Sequence, residues 1–175
     1  MSVIMNILGA FIVIGASSLA GIYYGNLETY RMRDLQEIKK GLSILRSQVD
    51  YIRAPLHEAM QHISERLSIP ASRIFEMMAE LLVHERNSKV AHMWEAAIDQ
   101  HGGALYLNEE DIDNIKAFGG ILADIDSSLQ LANIDLLVNY IDGQVSGLSV
   151  SRDKNKKLYR SLGLLCGTLI VIIFI

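Results

Sequence analysis

Histidines and clustered carboxylates are the side chains of this 175-residue chain that could do chemistry. His57, Glu58 and His62 resemble a zinc-protease motif, in which two histidines stand four residues apart on one helix face. Here they are five residues apart, so a regular helix separates them by about 140° and one metal ion cannot bind both. The other three histidines have no partners at ligand spacing. The sequence therefore favours no metal site.

The densest group of carboxylates lies at positions 109–111 and 113. It directly follows Asn108, a residue that caps helices, and negative charge in the first helical turn meets the positive end of the helix dipole. A helix start thus explains these residues without a bound cation, and the pattern is not that of a calcium loop. There is no glycine-rich phosphate loop, and the single cysteine, Cys166, lies in an apolar segment. We expect no catalytic residue, no metal and no cofactor.

Both ends of the chain are apolar. Residues 3–26 carry no charge and would span about 36 Å as a helix, enough to cross a hydrocarbon core of about 30 Å. Residues 161–175 are also uncharged but reach only about 22 Å, so a crossing helix must extend back to Leu158. We therefore expect transmembrane helices at residues 1–27 and 158–175, with a soluble domain at 28–157.

The first apolar segment has an alternative interpretation, since Ser18, Leu19 and Ala20 form a small-x-small cleavage site for a signal peptide. An uncleaved anchor is favoured because no Lys or Arg precedes the run, which is longer than a signal core. Basic clusters follow the first segment and precede the second, so the positive-inside rule predicts a cytoplasmic domain with both termini on the other side. The clusters are Arg31, Arg33, Lys39 and Lys40, and Arg152, Lys154, Lys156, Lys157 and Arg160.

The soluble domain shows helical spacing of apolar residues and no convincing strand pattern. Pro55, Pro70 and the pair Gly102-Gly103 separate helices, Asn108 opens the fifth, and Asp126 or Ser127 caps the sixth. The first helix has the stripe Leu35, Ile38, Leu42, Leu45, Val49, Ile52 and Leu56, and the sixth has Leu129, Ala132, Leu136, Leu137, Tyr140 and Ile141.

An even helix count suits a chain that leaves a membrane and returns to it. We predict an all-α fold, a six-helix antiparallel bundle whose last helix runs through Gly143 and Gly147 into the C-terminal apolar segment.

Charge is unevenly distributed along the chain. Residues 47–151 hold sixteen acidic and six basic side chains, although the whole chain has a net charge of only −4. An acidic body repels phosphate and argues against nucleic acid as a partner, whereas the basic ends suit anionic membrane lipids. Solvated helix faces are the commoner explanation of such acids. The residues proposed for partner docking are Glu76, Glu80, Glu85 and Glu95.

Small residues recur every four positions in both apolar segments. Such stripes let two helix backbones approach closely in lipid. We expect at least one stripe to pack on a helix, either within the chain or in a neighbouring subunit of a homo-oligomer. The stripes are Ser17, Gly21 and Gly25, and Gly163 and Gly167.

Several short motifs together resemble the stage III sporulation protein AB family, and the resemblance covers almost the whole chain. Its tyrosine and proline-leucine box is similar to Tyr51, Pro55, Leu56, Glu58 and Ala59, and its tryptophan box to Trp94, Glu95 and Ala97. Its third signature is similar to Asp111, Gly119, Leu122, Asp126 and Gln130, and its last to Tyr159, Arg160, Ser161, Leu162 and Gly163. Gln48 departs from an acidic residue and Ala123 from a glycine, which questions a polar role at the first position and a sharp turn at the second.

The resemblance implies a mother-cell membrane protein of endospore formers. That family belongs to the SpoIIIA assembly, which with SpoIIQ bridges the two membranes around the forespore. Its soluble domain is similar to the cytoplasmic domains of the secretion platform protein GspF, and its implied partners include the ATPase-like SpoIIIAA. The chain would then lie in the outer forespore membrane, with its bundle in the cytoplasm. The alternatives are a platform protein of a type II secretion or pilus system outside sporulation, and a membrane-bound enzyme, for which the apolar segments offer no evident base.

Overall fold

The computed structural model describes residues 2–52, 54–85, 88–122 and 127–174. These residues form α-helices and no strand, which confirms the all-α prediction. The α-helices are α1 (Ser2–Ser47), α2 (Leu56–Ser64), α3 (Ala71–His84), α4 (Val90–His101), α5 (Glu109–Ala117) and α6 (Ser127–Phe174). A π-helical turn, Gln48–Ile52, follows α1, and 3₁₀ turns follow α4 at Gly102–Ala104 and α5 at Phe118–Gly120.

The chain divides into two compact units. The terminal unit is Met1–Tyr30 with Gly147–Ile175, and the bundle unit is Arg31–Ser146. Helices α1 and α6 each contribute to both units. The continuity of α6 from Ser127 to Phe174 confirms that this helix runs through Gly143 and Gly147 into the C-terminal apolar segment.

In the bundle unit, α1 and α6 run antiparallel. Lys39 of α1 pairs with Asp142 of α6, and seven residues further along α1, Arg46 pairs with Asp135. Residues further along α1 thus pair with residues earlier on α6, as expected for antiparallel helices. The core between the helices is built from aliphatic residues around two aromatic contacts, in which the ring of Trp94 meets Phe75 and Phe118 edge-on at centroid distances of 5.6 and 6.1 Å.

The stripe predicted for α1 is buried up to Leu45, half-buried at Val49 and Leu56, and wrong at Ile52. Leu35, Ile38, Leu42 and Leu45 are buried, whereas Ile52 is 60% exposed. The reason is the π turn Gln48–Ile52. A π turn inserts an extra residue, so later side chains leave the helix face that the earlier ones share.

The stripe predicted for α6 is also partly wrong. Leu137 and Ile141 are buried, but Leu129 and Leu136 are 47% and 66% exposed, and Ala132 is exposed. Burial follows the seam Ile134, Leu137 and Ile141 instead. These residues are spaced by three and four positions and share one face, while a direct neighbour such as Leu136 points about 100° away.

The start of α5 confirms the role predicted for Asn108. Its side chain accepts a hydrogen bond from the Asp111 backbone at 2.8 Å, and the Asp111 side chain accepts one from the Asn108 backbone at 3.1 Å. This reciprocal pair is a capping box. α4 ends before Gly102-Gly103 as predicted, although the pair continues as a 3₁₀ turn without a positive φ angle.

One helical stretch of the described residues, Gly9–Ile52, is long and apolar enough to cross a membrane by length and composition. The membrane crossings at residues 1–27 and 158–175, and the likeness to GspF domains, stay predictions.

Candidate functional site

Of the four glutamates predicted for partner docking, Glu76 and Glu80 lie on α3, Glu85 directly follows α3, and Glu95 lies on α4. Glu80, Glu85 and Glu95 are exposed, and Glu76 is half-buried. Glu76 accepts a 2.8 Å hydrogen bond from Arg73, one turn earlier on α3. Glu80 makes no hydrogen bond or ion pair with any described residue. Its side chain lies on the ridge between two grooves, one against α2 and one against α4.

The remaining two glutamates have weak local partners. Glu85 follows the end of α3 and accepts a hydrogen bond from the Ser88 hydroxyl at 2.9 Å. Glu95 is 3.9 Å from a ring nitrogen of His92. These exposed contacts contribute little to stability. Glu76 and Glu80 line one groove between α3 and α4, whereas Glu85 and Glu95 are exposed outside it.

The two stripes of small residues face each other in the terminal unit. A Cβ added to Gly21 would lie 2.6 Å from the Tyr159 carbonyl oxygen, and one added to Gly163 would lie 2.6 Å from the Ser17 carbonyl oxygen. A Cβ on Gly25 would meet Lys156, and one on Gly167 would meet Ser17, at 3.4 and 3.1 Å. Glycine is therefore required where the backbones of α1 and α6 approach most closely.

A buried carboxylate joins three helices of the bundle unit. Asp111 of α5 has no exposed surface, and both of its oxygens accept from the Arg31 guanidinium of α1, at 2.7 and 2.9 Å. It also accepts from the Tyr140 hydroxyl of α6 at 3.0 Å. Arg31 donates in addition to the Gln144 side chain at 2.9 Å. We call Arg31, Asp111, Tyr140 and Gln144 the polar clamp.

The charge state of Asp111 follows from this environment. Burial alone would raise its pKa, but hydrogen bonds from Arg31, the Asn108 backbone and Tyr140 outweigh burial and lower the pKa. The hydrogen bond between Arg31 and Asp111 raises the pKa of Arg31. Burial and the bond to the Asp111 carboxylate raise the pKa of Tyr140 to about 12. The clamp thus holds an ion pair, Arg31 with Asp111, whose charged forms the surrounding hydrogen bonds stabilise.

Sequence reasoning missed the clamp and two further buried polar residues. Arg31 was assigned only to a basic flank of the membrane segment. Asp34, which is 2% exposed, accepts from the Tyr106 backbone at 2.8 Å and from Arg33. Gln48, which is 8% exposed, bonds to the ring of His62 at 3.0 Å and so has a polar role after all. A charged residue interrupting an apolar helix face was the available signal for Asp34.

Packing explains the tryptophan box and part of the third signature. The Trp94 indole nitrogen donates to the Ile115 carbonyl oxygen at 2.7 Å, and a Cβ on Gly119 would lie 2.5 Å from a ring carbon of Trp94. Gln130 donates to the Leu122 carbonyl oxygen at 3.1 Å. Asp126 and Ala123 lie outside the described residues. These motifs therefore serve the fold, whereas Tyr51 of the first box is 80% exposed.

The histidines of the zinc-like motif line the α2–α3 groove but do not gather around a point. Among the described residues, no group of three His, Cys, Asp or Glu side chains is placed to hold a metal ion. His57 lies 3.9 Å from Glu58, its neighbour in sequence, and His62 is engaged with Gln48. What this surface can do is bind through charge and shape.

Comparison with known proteins identifies the family. The family model described as stage III sporulation protein AB matches residues 6–175. Stage III sporulation protein AB of Bacillus subtilis (strain 168) is 25% identical over 169 residues, which cover 97% of this chain and 98% of the relative. A solved structure of stage III sporulation protein AB (SpoIIIAB) matches with a TM-score of 0.66 at 23% identity, covering 71% of this chain and 97% of the solved one, and so has the same fold. Since the family model spans nearly the whole sequence, the chain belongs to the stage III sporulation protein AB family.

Proposed function

We propose that this chain is a structural membrane component of the SpoIIIA–SpoIIQ complex, which bridges mother cell and forespore during endospore formation. The observation that carries the proposal is the family match over residues 6–175, which makes the chain a sporulation protein. Membership also suggests assembly with other SpoIIIA proteins. The match also covers 98% of the Bacillus subtilis relative's own length.

Both terminal apolar segments anchor the chain in the outer forespore membrane, and the bundle unit lies in the mother-cell cytoplasm. The apolar stretch Gly9–Ile52 supports the first anchor. The close approach of α1 and α6 at Gly21 and Gly163 supports a paired anchor, because small residues allow the backbone contact that holds helices together in lipid.

The bundle acts as a platform, in the manner of GspF, between the ATPase-like SpoIIIAA and the channel. Two features support a scaffold over an enzyme. The titratable groups of the polar clamp are hydrogen-bonded to one another inside the fold, and Glu80, Glu85 and Glu95 are exposed and accessible to a partner.

Genetic replacement tests the proposal. The chain is produced in an endospore former that lacks its own member of the family, and heat-resistant spores are counted. We expect restored spore formation and a fluorescent fusion that surrounds the engulfed forespore. Normal amounts of membrane-bound protein without spores would overturn the role in sporulation.

Cysteine labelling tests the membrane topology in the same strain. Cys166 is replaced by serine, and a cysteine is placed at Gly103, where an added Cβ meets no atom within 4 Å. A membrane-impermeant thiol reagent should label Gly103→Cys only after the mother cell is permeabilised. A control variant with a cysteine at Ser2 should be labelled from the opposite side. Labelling of Gly103→Cys from outside would contradict a cytoplasmic bundle.

A further inference from the structure

A groove between α2 and α3 lies open on the surface of the bundle unit. Its volume is about 430 Å³, within the range of protein sites that hold a few side chains of a ligand. Ala79 and Val83, one turn apart on α3, supply apolar lining, and Val83 is 51% exposed. The groove therefore has apolar surface that water contacts in the free chain.

Glutamates surround this apolar lining. Glu58 lies on α2 and Glu65 directly follows the end of α2. Glu80 lies on α3, on the other side of the groove. No Lys or Arg belongs to the described lining. Three negative charges around one groove repel each other, and a cation placed among them would relieve that repulsion.

The fold makes little use of these three carboxylates. Glu80 has no hydrogen bond or ion pair with the described residues. Glu58 is 63% exposed and lies 3.9 Å from its neighbour His57. Glu65 accepts one hydrogen bond at 3.1 Å, from Gln61 one turn earlier on the same segment. Their oxygens therefore keep lone pairs for donors from another molecule.

We infer that the α2–α3 groove binds an amphipathic helix of a partner protein, which inserts an aliphatic side chain beside Ala79 and Val83 and places Lys or Arg against Glu58, Glu65 and Glu80. Helices recognised in grooves insert apolar side chains of their own, one turn apart, and the groove offers them apolar lining at Val83 and, deeper, at the almost fully buried Ala79. Charge complementarity then fixes the partner class and the register.

The same charges disfavour other occupants. Nucleic acid and anionic lipid head groups both present phosphates, which three carboxylates repel. A second copy of this chain would bring the same acidic body, in which residues 47–151 hold sixteen acidic and six basic side chains. The inference rests on the proposed function, because it needs a partner protein at the bundle.

Photo-crosslinking from inside the groove tests this inference in sporulating cells. The photoreactive residue p-benzoylphenylalanine replaces Val83 in the full chain, and the crosslinked segment is identified by mass spectrometry. We expect a segment with Lys or Arg at helical spacing beside aliphatic residues. The double variant Glu58→Lys, Glu80→Lys should lower the crosslink yield about tenfold or more.

The double variant Glu95→Lys, Asp113→Lys is the matched control, since it makes the same charge change at exposed positions of α4 and α5, outside the groove. It should lower the yield less than about twofold. An equal loss of crosslink yield in the control would overturn the groove as the binding site, because it would indicate diffuse attraction to the whole acidic surface. A crosslink to lipid, to a second copy or to a segment without Lys or Arg would overturn the inference, as would the absence of any adduct.

Spore counts in the same strains separate the two proposals. Normal heat-resistant spores without a crosslink from position 83 would overturn the groove and leave the sporulation role intact. Loss of spores with every version of the chain, including the unmodified one, would overturn the proposed function itself. Circular dichroism of the purified full-length variants in detergent verifies that the lysine substitutions leave the helix content unchanged.

Discussion

The bundle unit uses carboxylates in two opposite ways, and the polar clamp and the α2–α3 groove show the difference. Asp111 is completely buried and accepts hydrogen bonds from Arg31, Tyr140 and the Asn108 backbone. Glu80 is exposed and bonds to none of the described residues. A buried charge must be matched within the fold, whereas an exposed one is solvated by water and leaves the fold nearly indifferent. The exposed residues of the groove can therefore be substituted without disturbing the clamp.

Asp111→Ala should have the largest effect on stability. It leaves the Arg31 guanidinium, which is only 19% exposed, without its counter-charge, and breaking such a pair costs about 3–5 kcal/mol. Thermal unfolding of the full chain in detergent, followed by circular dichroism, measures the loss. Asp113→Ala is the control, because this exposed residue follows Asp111 by two positions on α5. Equal losses in the two variants would refute the distinction between buried and exposed carboxylates.

Gly119→Ala should have the second largest effect. Its new Cβ would lie 2.5 Å from a ring carbon of Trp94, which is itself buried and bonded to Ile115. Overpacking of this kind costs about 1–3 kcal/mol. Gly120→Ala provides an adjacent control, since a Cβ there meets nothing within 4 Å. The same unfolding assay should show little change for Gly120→Ala, and a comparable loss at both positions would contradict the packing argument.

The clamp also predicts a change of stability at alkaline pH. The pKa of Tyr140 is raised to about 12 in the folded chain, so the unfolded chain releases this proton first, near pH 10. The contribution of the Tyr140 hydroxyl to the free energy of unfolding is therefore complete below about pH 10 and is lost as the pH rises towards 12. Tyr140→Phe should lose about 1 kcal/mol at neutral pH.

Unfolding midpoints measured between pH 8 and 11 test this prediction. The midpoint of the unmodified chain should fall more steeply with rising pH than that of Tyr140→Phe, which has no phenol to titrate at this position. A decline of the same size in both chains would assign it to other groups. The lowered pKa of Asp111 affects stability at acidic pH instead. The contribution of its carboxylate to the free energy of unfolding is present above the ordinary carboxyl pKa of about 4 and is lost as the pH falls below it.

Local signals in the sequence were sufficient for the helices but not for the clamp. Pro70 and Asn108 mark helix starts through their own backbone chemistry, and α3 and α5 begin directly after them. Arg31 and Asp111 are 80 positions apart, and no local pattern reveals which arginine will reach a given carboxylate. The acidic surface was visible from composition, but the groove was not, because its shape depends on how α2 packs on α3.

Glu80→Gln should have the smallest effect on stability, and this result completes the comparison. The Glu80 carboxylate is exposed and has no hydrogen bond to the described residues, and loss of its charge relieves repulsion from Glu58 and Glu65, so the change should lie within about 0.5 kcal/mol. Glu76→Gln is the control that should lose slightly more, since Glu76 accepts a hydrogen bond from Arg73. The unfolding assay used for Asp111→Ala measures both. A loss above about 1 kcal/mol for Glu80→Gln would mean that the fold itself requires this carboxylate, which would remove the physical reason for assigning it to a partner.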